Sequence, residues 1–155
     1  MGGQTTKTRP EKPATRYEDD LYTWVEEQCA LLRAGRLSEV DALNVAEELS
    51  DLAKAQYDKL ESAFAVLIQH LLKWDHQPSR RSRSWQMTMR EQRRRILRVL
   101  KDSPGLKSRL GEAMADGYAD GRDRALGETK LKESVFPEAC PYTFDDMMAR
   151  VIEIE

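Results

Sequence analysis

The chain predicts an all-α fold, a helical bundle of four main helices plus a short C-terminal helix, built around one long helix. Three observations carry this expectation. Apolar residues recur at three- and four-residue intervals along most of the 155 residues, the period of one helix face. Neither glycine nor proline interrupts residues 37–77, a span far longer than the usual three-turn helix. Nowhere does the chain show the apolar–polar alternation that marks a half-buried strand.

Residues 1–16, MGGQTTKTRPEKPATR, are almost free of apolar side chains. They do not offset the entropy of their own ordering, so a flexible tail is expected, followed by a single domain over 17–155. Asp19 or Asp20 supplies the N-terminal cap of a first helix, in which Leu21, Trp24, Val25, Gln28, Leu31 and Leu32 share a face and which Gly35 stops. Ser38, with Asp41 three residues on, resembles a capping box and opens a second helix expected to run unbroken from Ser38 to Trp74. Its apolar stripe passes through Leu49, Leu52, Ala53, Gln56, Leu60, Ala63, Phe64, Leu67, Ile68, Leu71 and Trp74. Between Ser62 and Leu72 the one titratable residue is His70, so burial on most sides is expected there.

The segment DHQPS breaks this helix, and Trp85, Met89, Gln92, Ile96, Val99 and Leu100 then mark a third helix ending near Lys101. Ser103-Pro104 opens a fourth, with Leu106, Leu110, Ala113, Met114, Tyr118 and Ala125 on one side and Gly111, Gly117 and Gly121 bearing on its straightness. The segment VFPEACPY, with two prolines, should be extended, and Thr143 with Asp146 caps a short last helix.

A net charge of −2 conceals a strong internal alternation: +3 over residues 1–16, −8 over 17–61, +8 over 62–101 and −5 over 102–155. Cys29 and Cys140 stand 111 positions apart with no CxxC or Cys/His grouping. Reduced thiols and a cytoplasmic location are therefore expected. No apolar run approaches the ~20 residues needed to cross a bilayer, so no membrane partner is expected.

The string HLLKW at 70–74, QPSRRSRSWQMTMREQRRRI at 77–96, the DSPGLK opening of the fourth helix and ETKLKESVFPEACPYT at 128–143 together resemble the bacterial domain-of-unknown-function family 29. The resemblance runs from Tyr17 to Met148 and implies a prokaryotic helical bundle; the family supplies no established activity and hence no catalytic residues. One departure is a glycine-leucine pair of the family pattern where Lys130-Leu131 stands.

The densest chemical feature is the arginine-rich segment, with Arg80, Arg81, Arg83, Arg90, Arg93, Arg94, Arg95 and Arg98 around Trp85. Guanidinium groups beside an aromatic ring suit phosphates and stacked bases. Antiparallel packing about the turns at 75–79 and Ser103 instead sets Arg94 near Glu61 and Glu112, Arg98 near Asp58 and Arg90 near Asp116. On that reading the basic helix is neutralised from within, and Trp85 buries its ring against the long helix near His70. A second candidate is the carboxylate face of Glu47 and Asp51, with Asn44 and Glu48 alongside. It lacks the Glu-x-x-His pairs of bundle metal sites, and no phosphate- or dinucleotide-binding glycine pattern occurs, so no metal and no cofactor are expected. His70 sits among leucines where burial perturbs a pKa, and no arginine precedes it at nuclease-like spacing. The candidate functional surface is thus Glu47, Asp51, His70, Arg81, Arg83, Trp85, Arg90 and Arg94. The favoured role is a non-catalytic binding or interaction module, accessory to nucleic-acid or toxin-antitoxin biology. Its expected partner is a protein or a second copy, ahead of nucleic acid. The alternative is a small metal- or histidine-dependent hydrolase or nuclease.

Overall fold

The computed structural model describes residues 14–154, and the part of the expected tail up to residue 13 lies outside the described residues. Among these the chain forms five α-helices and no strand: α1 (Leu21–Arg33), α2 (Ala42–His76), α3 (Arg83–Asp102), α4 (Leu110–Thr129) and α5 (Phe144–Ala149). It divides into two units, Met1–Asp51 and Leu52–Glu155.

In the first unit Asp20 caps α1 by accepting from the Thr23 N–H at 3.0 Å, and Gly35, at φ +70°, turns the chain out of the helix. Trp24 is buried, with the Tyr17 ring edge-on to it at 4.9 Å. The Gln28 side chain accepts from the Asp41 N–H at 2.8 Å. The long helix starts later than the capping-box pattern predicts. Ser38 falls in a 3-10 turn and Val40 is extended, at ψ 134°, so a helix cannot run through from Ser38. Asp41 takes over the capping role, accepting from the Asn44 backbone at 3.3 Å and from its side-chain amide at 2.7 Å. From Ala42 the helix continues without a break to His76.

The second unit holds the core. Leu60, Phe64, Leu67, Ile68, Leu71 and Leu72 on α2 are fully enclosed, together with Met89 and Ile96 on α3, Phe136 and Met147. Burial is confined to the later part of the apolar stripe, and at its start Leu49 and Leu52 are 60% and 62% exposed. The reason is length. At 1.5 Å per residue the 35 residues of α2 extend about 53 Å, whereas α3 and α4, with 20 residues each, extend about 30 Å.

Small residues at Ala113, Gly117, Gly121 and Ala125 make a buried stripe on α4 at four-residue spacing. A Cβ added to Gly117 would lie 2.7 Å from the Phe64 Cβ and 3.1 Å from the Glu61 carbonyl oxygen. At Gly121 it would lie 2.6 Å from the Ala65 carbonyl oxygen. Backbone therefore meets side-chain root and backbone, and the two helices run parallel: Gly117 faces 61–65 and Gly121 faces 65–69. The Ser103-Pro104 start is a 3-10 segment over Pro104–Arg109, and α4 proper begins at Leu110. Lys130 ends α4 in the left-handed region at φ 57°, a conformation that glycine adopts more readily because it has no Cβ.

Beyond α4 the chain makes a short 3-10 turn at Glu133–Val135 and buries Phe136, whose ring meets the edge of His76 at 5.1 Å. Thr143 and Asp146 form the predicted capping box of α5. Asp75, near the end of α2, accepts from the Tyr142 hydroxyl at 2.8 Å and from both Arg150 terminal nitrogens. The C-terminal segment is thereby tied to the long helix.

The glycine contacts give a test with its own control. Gly117→Ala and Gly121→Ala should each cost about 1–3 kcal/mol in a urea melt, because the new methyl group meets backbone that has no room to move. Gly111→Ala and Gly127→Ala, where a Cβ meets open space, should instead gain up to about 1 kcal/mol from helix propensity. Equal effects at the two pairs would show that α4 does not approach α2 this closely.

Candidate functional site

Ser82 caps α3 by accepting from the Trp85 N–H at 3.3 Å, and this sets the rotation of everything after it. With Met89, Gln92, Ile96, Val99 and Leu100 turned inward, the opposite face falls to Arg83, Met87, Arg90, Arg94, Leu97 and Lys101, at spacings of four, three, four, three and four. All six are exposed, as is Arg98 beside them. Arg90, Arg94 and Arg98 form no ion pair with any described residue, which overturns the expected pairing with Asp58, Glu61, Glu112 and Asp116. The acids have other neighbours. Glu112 pairs with Arg109 at 2.8 Å, and Asp116 accepts the Tyr57 hydroxyl. Glu61 stands among Asp116, Asp58 and Asp120; burial first, then these carboxylates, raise its pKa above the ordinary value. Parallel packing of α2 and α4 brings acid beside acid, and the core contacts of α3 hold its arginines on the far side.

The remaining sequence candidates scatter. Glu47 and Asp51 are exposed in the first unit, where the neighbouring Glu48 accepts the Tyr17 hydroxyl at 2.6 Å. That bond, more than partial burial, pushes the Tyr17 pKa up to about 12. In the second unit His70 is half-buried, and its Nδ1 donates to the Val66 carbonyl at 2.8 Å. Burial lowers its pKa, the Val66 carbonyl opposes this, and Lys73 lowers it further. Arg81 secures the end of α2, donating from Nε to the Trp74 carbonyl at 3.0 Å with its guanidinium 5.1 Å from the Trp74 ring. Trp85 is half-buried against the core, with the Lys73 ammonium 4.4 Å above its ring. It packs one turn along from His70, and one face is occupied by a cation rather than open to a base. Arg83, Arg90 and Arg94 do share one surface. Among the described residues no group of three or more His, Cys, Asp or Glu side chains stands close enough to hold a metal, and both cysteines are free thiols.

Two arginines outside the expected site matter more than several within it. Arg93 is half-buried; its Nε donates to the Met147 carbonyl at 2.6 Å and its Nη2 to the Arg150 carbonyl at 2.8 Å. Burial, and then the nearby Arg150 cation, lower its pKa. Gln86 donates to the Ile152 carbonyl at 2.7 Å, and Arg90, Arg93 and Arg150 line a cleft of about 330 Å³ between α3 and residues 149–153. The signal for Arg93 was its position four residues after Met89, on the edge of the apolar stripe. Arg150 carried no local signal, since its partner Asp75 is 75 positions away.

Fold and surface together define an all-α protein whose second unit carries a basic helix with Arg90, Arg94 and Arg98 free of ion pairs among the described residues. The profile of the family described as Domain of unknown function DUF29 matches residues 16–151, nearly the whole chain, and the chain belongs to that family. No curated protein and no solved structure matches it. No helix among the described residues is long and apolar enough to cross a membrane.

The acidic cluster sets a pH dependence. Because the Glu61 pKa is raised in the folded state, the fold favours the protonated acid. Its contribution to stability is therefore fully present below the ordinary value of 4.5 and is lost as pH rises through the raised one. Glu61→Gln should melt at a higher temperature than the parent at pH 7, and the gap should close by about pH 4. Identical melting at both pH values would mean that the four carboxylates do not feel one another.

Proposed function

We propose that this protein is a non-catalytic binding module of the bacterial cytoplasm that engages the phosphate backbone of nucleic acid through the outer face of α3. The observation that carries the reading is the absence of an acidic partner, among the described residues, for Arg90, Arg94 and Arg98 on one exposed face. A paired surface arginine exchanges one neighbour for another when a polyanion arrives, whereas an unpaired one adds its full attraction and releases the polymer's condensed counterions. Successive arginines four residues apart rise about 6 Å along the helix, so their flexible side chains reach a run of phosphates from one face. Trp85 lies half-buried under Lys73, so the contact described is to backbone rather than stacked bases, and little sequence preference is expected.

A protein partner or a second copy is the other reading, favoured by Met87 and Leu97, 43% and 56% exposed within the same arginine stripe. Apolar side chains at these positions suit an acidic amphipathic helix.

Fluorescence anisotropy with DNA and RNA oligonucleotides across a salt series separates the two. Replacing Arg94 and Arg98 together by glutamine should reduce the slope of log K against log salt by about 1.4–1.8, with the melt unchanged to about 0.5 kcal/mol per site. A parent protein with no salt-sensitive binding, or a variant that keeps the full slope, would refute the nucleic-acid reading.

A further inference from the structure

We propose that the cleft between α3 and residues 149–153 is a binding site for a phosphate group, held by Arg90 and Arg93 with Arg150 behind them. Its volume, about 330 Å³, lies at the lower end of small-ligand pockets. The charges in it are unequally satisfied. Arg150 is neutralised, because both of its terminal nitrogens bond Asp75, and Asp75 also accepts the Tyr142 hydroxyl. Asp75 thus has little left to offer Arg93. Arg93 has backbone carbonyls as its partners, through Nε and Nη2, which leaves Nη1 without a bond among the described residues. Among the described residues Arg90, exposed at the cleft, has no ion pair, and Glu153, the one carboxylate lining the cleft, pairs with neither arginine.

A latch for the end of α5 would need only the two carbonyl bonds of Arg93. It would not need the further guanidinium of Arg90, three residues earlier on the same helix, in the lining of the same cleft. An anion between Arg90 and Arg93 compensates both. Two uncompensated guanidinium groups match a dianion better than a carboxylate. The carbonyl bonds fix the plane of Arg93 beforehand, so its free edge is already presented as a donor pair. Partial burial strengthens the attraction relative to an exposed pair. The site shares Arg90 with the strand-binding reading above but is tested apart from it through Arg94 and Arg98, which do not line the cleft.

The phosphate could come from the end of a nucleic-acid strand or from a small phosphate-bearing molecule, and the test separates these. Inorganic phosphate is titrated into the full chain at constant ionic strength, with sodium acetate in a parallel series, and the arginine Nε–H signals are followed by NMR. The expected result is a saturable shift of the Arg93 signal with phosphate and little with acetate. Arg90→Gln should weaken phosphate binding about tenfold, the loss of one charge-assisted contact, without lowering the melt in phosphate-free buffer. Arg94→Gln should bind as the parent does. Tighter binding of a 5′-phosphorylated oligonucleotide than of its 5′-hydroxyl counterpart assigns the phosphate to strand ends. Equal binding of the two, with the inorganic phosphate response intact, assigns it to a small molecule. No saturable shift, an equal response to acetate, or an Arg90→Gln variant that binds like the parent would overturn the proposal.

Discussion

The close approach of α4 to α2 is the constraint from which the second unit follows. At Gly117 and Gly121 there is no space for a methyl group between the helices, so contact at these two positions sets register as well as distance. Once Gly117 is against Glu61 and Phe64, and Gly121 against Ala65, the other cross-contacts fall into step. Tyr57 reaches Asp116 at one end and Lys73 reaches Glu128 at the other. Side chains rooted on Ala65, Ala113 and Ala125, all buried, would hold the helices apart if they were larger. Helix propensity opposes glycine at these positions by nearly 1 kcal/mol each; the close packing they permit offsets that loss.

The parallel course of these two helices also explains the electrostatics. The acidic stretches of α2 and α4 belong to different parts of the charge alternation, and parallel packing places Asp58 and Glu61 beside Asp116 and Asp120. The basic α3 lies between them in sequence, but packing a helix against a core is governed by its apolar stripe, since burying Met89, Ile96 and Leu100 outweighs exposed ion pairs of a few tenths of a kcal/mol. The arginines follow wherever that stripe sends them, and it sends them outward.

Closure of the unit depends on polar bonds rather than bulk. Asp75 gathers Tyr142 and Arg150, Arg93 holds the carbonyls at the end of α5, and Gln86 holds Ile152. Burial pulls the Asp75 carboxyl upward, but the Arg150 guanidinium and Tyr142 hydroxyl outweigh it and keep its pKa below the ordinary range. The same bonds that fasten the C-terminal segment leave Arg90 and Arg93 facing a cleft, so attachment and candidate site share their residues.

The all-helical class, the ends of α1 and α3, the capping box of α5 and the buried stretch around Leu67 and Ile68 were all legible in the sequence, because caps, breakers and apolar period act over a few residues. The start of α2 was misjudged by one turn because two capping residues, Ser38 and Asp41, compete, and only the extended Val40 decides between them. The outward face of Arg90, Arg94 and Arg98 was implicit in the sequence, since those positions lie opposite the apolar stripe of the same helix. Charge alternation along the chain pointed the other way. Whether acids on α2 and α4 meet α3 or each other depends on the rotation and spacing of three helices, of which the glycine contacts set the α2–α4 pair across more than 50 residues of chain. Arg93 with Met147 and Asp75 with Arg150 are likewise long-range pairings. Local sequence determines what each segment can become; which charged groups stand together is decided by packing, because burial of the apolar faces carries more free energy than any single exposed pair.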